Sequence, residues 1–408
     1  MNQATQEFIR THEKDDIFAI SLAARSSDEI DYQLAIRQIN GRQKIKLKVP
    51  TFYNCPHILY PVQLSLEQSS SESTALYKAA HCKGETFVDL TGGFGVDCSF
   101  IARNFSHAVY VERNNELCTL ASHNFEALGL KQIQVMNSDA EAYLKTMSPV
   151  DVLFIDPARR SNTGKKVFRL SDCEPDIGQI YQLLKAKAQR VLIKLSPMLD
   201  LSQLMAELET INEIHIISVD NECKEILLLV DSSLSNDTLI HAINITGEEQ
   251  QVFSFKSYNE SQSTALLATE IGSYLYEPNA SILKAGAFKT IGNQYNLKKL
   301  HTNTHLYTSD ALLPHFPGRI FKVDAVSGTS KADIKTLKNT VPKANVSVRN
   351  YPQSVEAFRQ KTGIREGGNV YLFACKTADE RLAVIQCSRI KNKDERQTKD
   401  VPDAEIWF

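Results

Sequence analysis

Between Thr86 and Ser196 short, nearly continuous apolar runs alternate with amphipathic stretches of helical period. The runs are "TFVDLT", "AVYVE", "IQVMNSD", "DVLFID" and "RVLIKLS"; between them lie "CSFIARNF", "ELCTLASHNFEALG", "EAYLKTM" and "DIGQIYQLLKAKAQ". Apolar strands that leave no polar face, separated by helices, predict a parallel sheet covered on both sides. "IHIISV" and "EILLLV" then follow with no helix between them, which predicts an antiparallel pair closing one edge.

Residues 1 to about 80 carry apolar positions at helical spacing with few strand signals, as in "DIFAISLAARSSDEIDYQLAIRQINGRQKIKL". A basic alternation, Arg42, Lys44, Lys46, Lys48, precedes Pro50. "SLEQSSSESTALYKAAHCKG" starts like a helix N-terminus, and Gly84 would stop that helix. After about Ser235 the elements become smaller. "HAINIT" and "QVFSFKS" flank "GEEQ" as a hairpin. "SYLYEP", "ASILKAGAFKTIGNQ" and "LKKLHTNTHLYTS" read as strand, helix, strand. From Phe316-Pro317-Gly318 onward, "RIFKV", "KADIKTLKNT", "ANVSVRN", "SVEAFRQKTG", "NVYLFACK" and "RLAVIQCSRI" make a mixed α/β segment, followed by the polar "KNKDERQTKDVPD". The expected divisions are 1–80, 81–235, 236–318 and 319–408.

Charge sharpens this division. From Ser281 to the end there are 21 Lys+Arg against 12 Asp+Glu, net +9, while the other 280 residues carry net −11. An acidic body joined to a basic C-terminal third fits a catalytic part and a polyanion-binding part; lysine-rich solvated faces fit equally well on charge alone. No apolar run has the length of a membrane span. The polar N-terminus lacks the apolar segment of a secretory signal. Eight cysteines, at 55, 82, 98, 118, 173, 223, 375 and 387, have no two within four residues of each other. That spacing excludes zinc knuckles and CxxC motifs and predicts reduced thiols in a cytoplasmic protein. His301 and His305 in "HTNTH" share one face of an expected strand but stand far apart, so no metal site is expected there.

The candidate chemistry lies at strand ends. "FVDLTGGFGVD" is strand, glycine turn, helix: Asp89 ends the strand, and Gly92, Gly93 and Gly95 let the backbone turn tightly and approach a ligand. Glu112, about twenty residues on, ends the next strand, where an acid accepts hydrogen bonds from ribose hydroxyls. Asp139 follows the third strand, in reach of an adenine amine, and Asp156 follows the fourth. Each acid alone reads as a helix N-cap; four in register beside a glycine turn read as a ligand crevice. The third glycine of a nicotinamide fingerprint is missing, and Asp89 would repel a pyrophosphate, so a cationic or amino-bearing ligand fits better.

This arrangement resembles class I S-adenosylmethionine-dependent methyltransferases, with a Rossmann-like sheet over about residues 85–232. "LEQSSSESTALYKA", "DLTGGFGVD", "DPARR", "IKLSPMLD" and "NECKEILLLV" narrow the resemblance to a bacterial family with a THUMP-like C-terminal domain, preceded by a small ferredoxin-like segment at "YEPNASILKAGAFKTIG". The resemblance implies S-adenosylmethionine as cofactor, with Glu112 on the ribose, Asp139 on the adenine and "DPAR" at the reaction centre. It also implies an RNA partner, tRNA or rRNA, through the basic C-terminal third. In "DPARR", Asp156 and the Pro157 carbonyl can accept hydrogen bonds from a base nitrogen, while Arg159 stands where related motifs carry an aromatic ring; a guanidinium can stack on a base or grip a phosphate. Arg160 suits a backbone contact. Lys194 ends the next strand, where it can steady Asp156 or a phosphate. Attack by base carbon C5 would need a thiol, yet "IKLSPMLD" offers Ser196, and Cys173 and Cys223 read as structural. A base nitrogen is therefore the expected acceptor. The alternatives are a silent RNA-binding protein that keeps the cofactor fold and a methyltransferase for a non-RNA substrate. Glu222, Lys224 and Glu225 lie near the expected substrate side but also read as plain loop charges.

Overall fold

The computed structural model describes residues 1–23, 29–159, 169–234 and 237–390. The chain divides into two units, one comprising Met1–Val219 with Lys224–Thr238, the other Asp220–Cys223 with the chain from Leu239 onward.

The first unit opens with helices: α1 (Gln3–Thr11), α2 (Ile17–Ala23), α3 (Tyr32–Lys48), α4 (Pro50–Asn54), α5 (Gln63–Gln68) and α6 (Glu72–Ala80). Short polar side chains start them. Asn2 caps Thr5, Asp31 caps Leu34 and Ser71 caps Thr74, each accepting from a backbone amide that the helix cannot satisfy. Ile9, Ile20, Ala35 and Ile39 form their own apolar cluster.

Strands and helices then alternate: β1 (Thr86–Asp89), α7 (Val96–Ile101), β2 (His107–Glu112), α8 (Asn115–Ala127), β3 (Ile133–Asn137), α9 (Ala140–Thr146), β4 (Val150–Ile155). A short ladder of β5 (Ala158–Arg159) and β6 (Cys173–Glu174) leads to α10 (Ile177–Lys187), β7 (Ala188–Leu195), α11 (Leu201–Glu207), β8 (Glu213–Val219) and β9 (Glu222–Asp231). Within this unit the strand order is β8-β9-β7-β4-β1-β2-β3. Val88 of β1 faces Val109 of β2 and Leu153 of β4 in parallel register, and Leu153 faces Val191 of β7. β9 alone runs against its neighbour, with Val191 opposite Val230. The apolar pattern anticipated two adjacent strands without a helix. It did not reveal that the second turns inward, between β7 and β8. A two-residue turn at Asp220 and Asn221, both with positive φ, makes that reversal; Asp and Asn tolerate it better than other side chains. The helix α11 was not anticipated.

The second unit begins with a hairpin of β10 (Leu239–Thr246) and β11 (Glu249–Lys256), in register at Ile243 and Val252. It continues with α12 (Ser257–Gln262), β12 (Tyr274–Pro278), α13 (Ala280–Ala285), α14 (Thr290–Gln294), β13 (Lys298–His301), β14 (Thr304–Ser309) and β15 (Gly318–Ser327). Last come α15 (Lys331–Thr340), β16 (Lys343–Arg349), α16 (Val355–Thr362), β17 (Arg365–Lys376) and β18 (Leu382–Ile390). The sheet order is β13-β14-β12-β15-β18-β17-β16. Strand alternation sorts its two faces. Phe373 and Cys375 join Leu275, Leu300 and Phe321 on one side, while Leu372 and Ala374 meet Leu337 and Phe358 of α15 and α16 on the other. One expectation fails here: "LKKLHTNTHLYTS" is a hairpin, not one strand. Thr302 and Asn303 turn it, and the Asn303 amide donates to His301 Nδ1 at 3.0 Å. His301 also meets Glu380 at 2.8 Å, whereas His305 stacks on Phe288 at 3.7 Å, so the two imidazoles serve separate partners. The tail "KNKDERQTKDVPD" lies outside the described residues.

Phe321 is fully buried, with the rings of Phe373 and Tyr371 centred 4.9 and 5.0 Å away. Phe321→Ala should therefore cost about 3–5 kcal/mol. Urea unfolding checks it, and an unchanged midpoint would contradict this assignment of the core.

Candidate functional site

The glycine turn after β1 is built by close approach. Gly93 (φ 54°) and Gly95 (φ 83°) lie in the left-handed region, which costs glycine little. A Cβ on Gly92 would fall 2.0 Å from the Tyr110 ring. The Tyr110 hydroxyl donates to the Gly93 carbonyl at 2.6 Å, fastening the turn to β2. Glu112, ending β2, accepts from the Gly93 amide through Oε2 at 3.0 Å and from the Asn114 amide through Oε1 at 2.8 Å. The second acid thus holds the glycine turn as well as facing the cleft.

Asp139 caps α9, accepting from the Glu141 and Ala142 amides through Oδ1 at 2.9 and 3.1 Å. Its N-cap role and its place on the cleft wall coexist. Asp89 is 1% exposed and accepts from the Thr91 amide at 3.0 Å. Burial, only partly offset by that amide, pushes its pKa well above the usual carboxylate range. Burial therefore weighs against the negative charge expected at this position.

Asp156 stands at the end of β4. Its amide donates to Thr91 Oγ1 at 2.6 Å, and its Oδ2 accepts from Lys194 Nζ at 2.5 Å. Burial opposes the charge on Lys194, but Asp156 first, then Asp97 and Glu225, hold its pKa well above the usual lysine range. Lys194 also lies 3.8 Å from Asp97 Oδ2. Asp97 Oδ1 in turn lies 3.2 Å from Lys78 Nζ, and Lys78 donates to Glu225 Oε1 at 2.6 Å. Ser70 donates to Asp97 Oδ2 at 2.6 Å. Lys78 is fully buried and Glu225 is 3% exposed. Burial opposes ionisation of Asp97, yet Lys78 and then Lys194 draw its pKa below the usual range. Burial raises that of Glu225 in spite of Lys78. Five alternating charges therefore run from the interior to Asp156. Nearby, Lys48 donates to the Leu66 and Glu67 carbonyls at 2.7 and 3.0 Å; burial, then Lys194, lowers its pKa to about 8.

A cleft of about 950 Å³ opens along the carboxyl ends of the parallel strands. It is lined by Asp89, Gly92, Gly93, Gly95, Glu112, Asp139, Asp156, Pro157 and Lys194, which the structure brings together. The backbone of Arg159 lies in β5, opposite Cys173; its side chain, and all of Arg160, lie outside the described residues. Glu225 is not a loop charge: it sits in β9, buried, and lines the cleft with Lys224, while Glu222 is exposed at the start of the strand. Cys173 and Ser196 also line the cleft, and Cys173 is 8% exposed. Sequence reasoning missed Lys78 and Ser70. The signal was present as a lone lysine within the otherwise small and apolar "TALYKAA", the pattern of a buried charge that needs partners.

Residues 74–172 match a family described as "Conserved hypothetical protein 95". Residues 274–317 match a ferredoxin-like domain family, and 318–389 a THUMP domain-like family. A solved structure from Porphyromonas gingivalis W83, described as a "putative methyltransferase", is 32% identical; the match covers 95% of this chain and 98% of that one, with a TM-score of 0.86. A Streptococcus mutans "putative methyltransferase" in complex with SAH also matches, at 12% identity, 38% of this chain, 94% of that one and a TM-score of 0.29. So does an "rRNA Methylase" from Streptococcus thermophilus, at 13% identity, 39% and 94% coverage and a TM-score of 0.31. Scores that low carry no argument here. No curated protein matches the chain.

Lys78→Met would leave two buried carboxylates short of a cation. It should destabilise the first unit by about 3–5 kcal/mol, and Lys78→Met/Glu225→Met should recover part of that loss. Denaturant unfolding of both variants is the check; equal stability of Lys78→Met and the parent would show that the lysine is not holding these acids.

Proposed function

Since the chain belongs to the family of the Porphyromonas gingivalis methyltransferase-like protein, with ferredoxin-like and THUMP-like C-terminal domains, we propose that it transfers a methyl group from S-adenosylmethionine to a base nitrogen of structured RNA, tRNA or rRNA. The observation that carries this reading is the convergence of the glycine turn, Glu112, Asp139 and the Asp156–Lys194 pair on one cleft at the ends of the parallel strands. That is where open α/β sheets bind nucleotides.

The residues fit the cofactor. The glycine turn admits backbone-close atoms, Glu112 suits the ribose hydroxyls and Asp139 the adenine amine. The Asp89 carboxyl, when protonated as its burial favours, would offer both a donor and an acceptor. S-adenosylmethionine supplies an electrophilic methyl group on a sulfonium. The protein's part is orientation. Asp156 Oδ2 is held by Lys194, which leaves Oδ1 to accept the N–H of an incoming base, and the fixed φ of Pro157 keeps its carbonyl in one direction. The cleft would hold that methyl group in line with the base nitrogen, and the proton that the nitrogen gives up would pass to the Asp156 carboxylate. Lys194 keeps its proton and acts by holding Asp156, not as a base. Methyl transfer asks mainly for alignment, which a side chain fixed by an ion pair supplies. Arg159 is assigned to the base or its phosphate. The THUMP-like domain and the basic charge of the C-terminal third support an RNA substrate, since cationic surfaces bind phosphate backbones.

Nucleoside mass spectrometry of tRNA and rRNA from a strain lacking the gene should show the loss of one methylated nucleoside. The wild-type gene should restore it, and an Asp156→Ala gene should not. Asp156→Ala should lower turnover by about 10²–10⁴-fold with cofactor affinity nearly unchanged. Identical nucleosides in parent and deletion strains would remove the RNA reading.

A further inference from the structure

Away from the cleft, α6 and β8 bring a second polar cluster together. Tyr77 and His81 lie four residues apart along α6 and its C-cap, on one face. Glu213 and His215 lie two apart on β8, also on one face. His215 is 1% exposed. Its Nδ1 is 2.7 Å from the Tyr77 hydroxyl and its Nε2 is 2.8 Å from Glu213 Oε2. The His81 ring meets the His215 ring at 4.7 Å and 71°. One ligand atom from each of His81, Glu213 and His215 lies within 4.8 Å of the others. None of the three lines the cleft.

We propose that His81, Glu213 and His215 form a three-ligand site for a divalent transition metal of the zinc class. Two imidazoles and one carboxylate are a borderline nitrogen–oxygen donor set. It suits zinc better than the harder magnesium or calcium, which take oxygen ligands almost exclusively. Ligand atoms around one tetrahedral zinc lie roughly 3.3 Å apart, as follows from zinc–nitrogen bonds of about 2.0–2.1 Å. Small side-chain rotations from the observed spacing reach that geometry. Water or a fourth protein ligand completes the shell.

Two surrounding features favour a cation. The site lies at the C-terminal end of α6, the negative end of its dipole. Tyr77 also stands where an outer-shell partner is needed. Without metal, Nδ1 pairs with the Tyr77 hydroxyl and Nε2 with Glu213 Oε2. With metal, an Nδ1–H would donate to the Tyr77 oxygen and leave the Nε2 lone pair to the ion. This is the way metal-binding histidines are oriented by the group on their other nitrogen. The sequence-based expectation of no metal weighed His301 and His305 and did not consider this trio, in which His81 lies more than 130 residues before the other two. The site would pin α6, the helix that also delivers Lys78 to the charge network, against β8.

The test does not depend on methyl transfer. Full-length protein stripped with a chelator is titrated with zinc(II) against a chromophoric competitor, and with cobalt(II) by absorption spectroscopy. The expected result is one equivalent bound, with a cobalt spectrum of nitrogen and oxygen donors and no thiolate charge-transfer band. His81→Ala and Glu213→Gln should each weaken zinc by about 100-fold or more, and Tyr77→Phe by about 10–100-fold. His81 is only half-buried, so its variant keeps the test open if the others fold poorly. No retained zinc, wild-type affinity in both His81→Ala and Glu213→Gln, or a thiolate band would each overturn the proposal.

Discussion

A fully buried lysine between two buried carboxylates is the constraint on which the first unit depends. Lys78 comes from the helix that precedes the sheet, Asp97 from the first turn of α7 and Glu225 from the antiparallel strand β9. None of the three could stay charged in the interior alone, since each would lose several kcal/mol of hydration. Together they oblige helix, glycine turn and last strand to meet at one point. Lys194 extends the same alternation to Asp156. The network is therefore a weak source of net stability and a strong source of position. It defines where the carboxylate at the end of β4 sits.

The cleft wall changes character along its length. Glu112, Asp139 and Glu141 line it on the β2–β3 side, where amide hydrogen bonds from the glycine turn and from α9 occupy part of the acids' capacity. Lys194 and Lys224 line it on the β7–β9 side, and Lys48 lies near them, its pKa lowered to about 8 by burial first and then by Lys194. An acid-lined end suits a cofactor with a positive sulfonium and donor-rich ribose and adenine. A lysine-bearing end suits an anionic polymer. The division follows from topology: successive parallel strands deliver their carboxyl ends to one edge, and the reversal at β9 brings Lys224 and Glu225 back to it.

The elements that carry this site were legible because their signals are local. Apolar runs bounded by turns gave the strands, and the glycines with Glu112, Asp139 and Asp156 gave the edge they share. Features set by distant partners were not legible. Nothing near Lys78 in the chain announces that Glu225, 147 residues later, will meet it. Asp89 reads as an anion in sequence; only the structure shows the burial that raises its pKa. Asp139 reads as either an N-cap or a ligand group, and the structure lets it be an N-cap on the cleft wall. "HTNTH" looks like one strand because its polar turn residues, Thr302 and Asn303, interrupt the apolar pattern for only two positions.

The claim that this cleft is a cofactor site is tested most directly by calorimetric titration of S-adenosylmethionine into the intact protein and its Glu112→Gln variant. Glutamine keeps an acceptor for the glycine turn but removes the charge offered to the ribose. The account predicts one binding site in the parent, weakened by about 1–3 kcal/mol in the variant, the range for hydrogen bonds to a charged group. Absence of binding heat in the parent, or equal affinity in the two proteins, would contradict it.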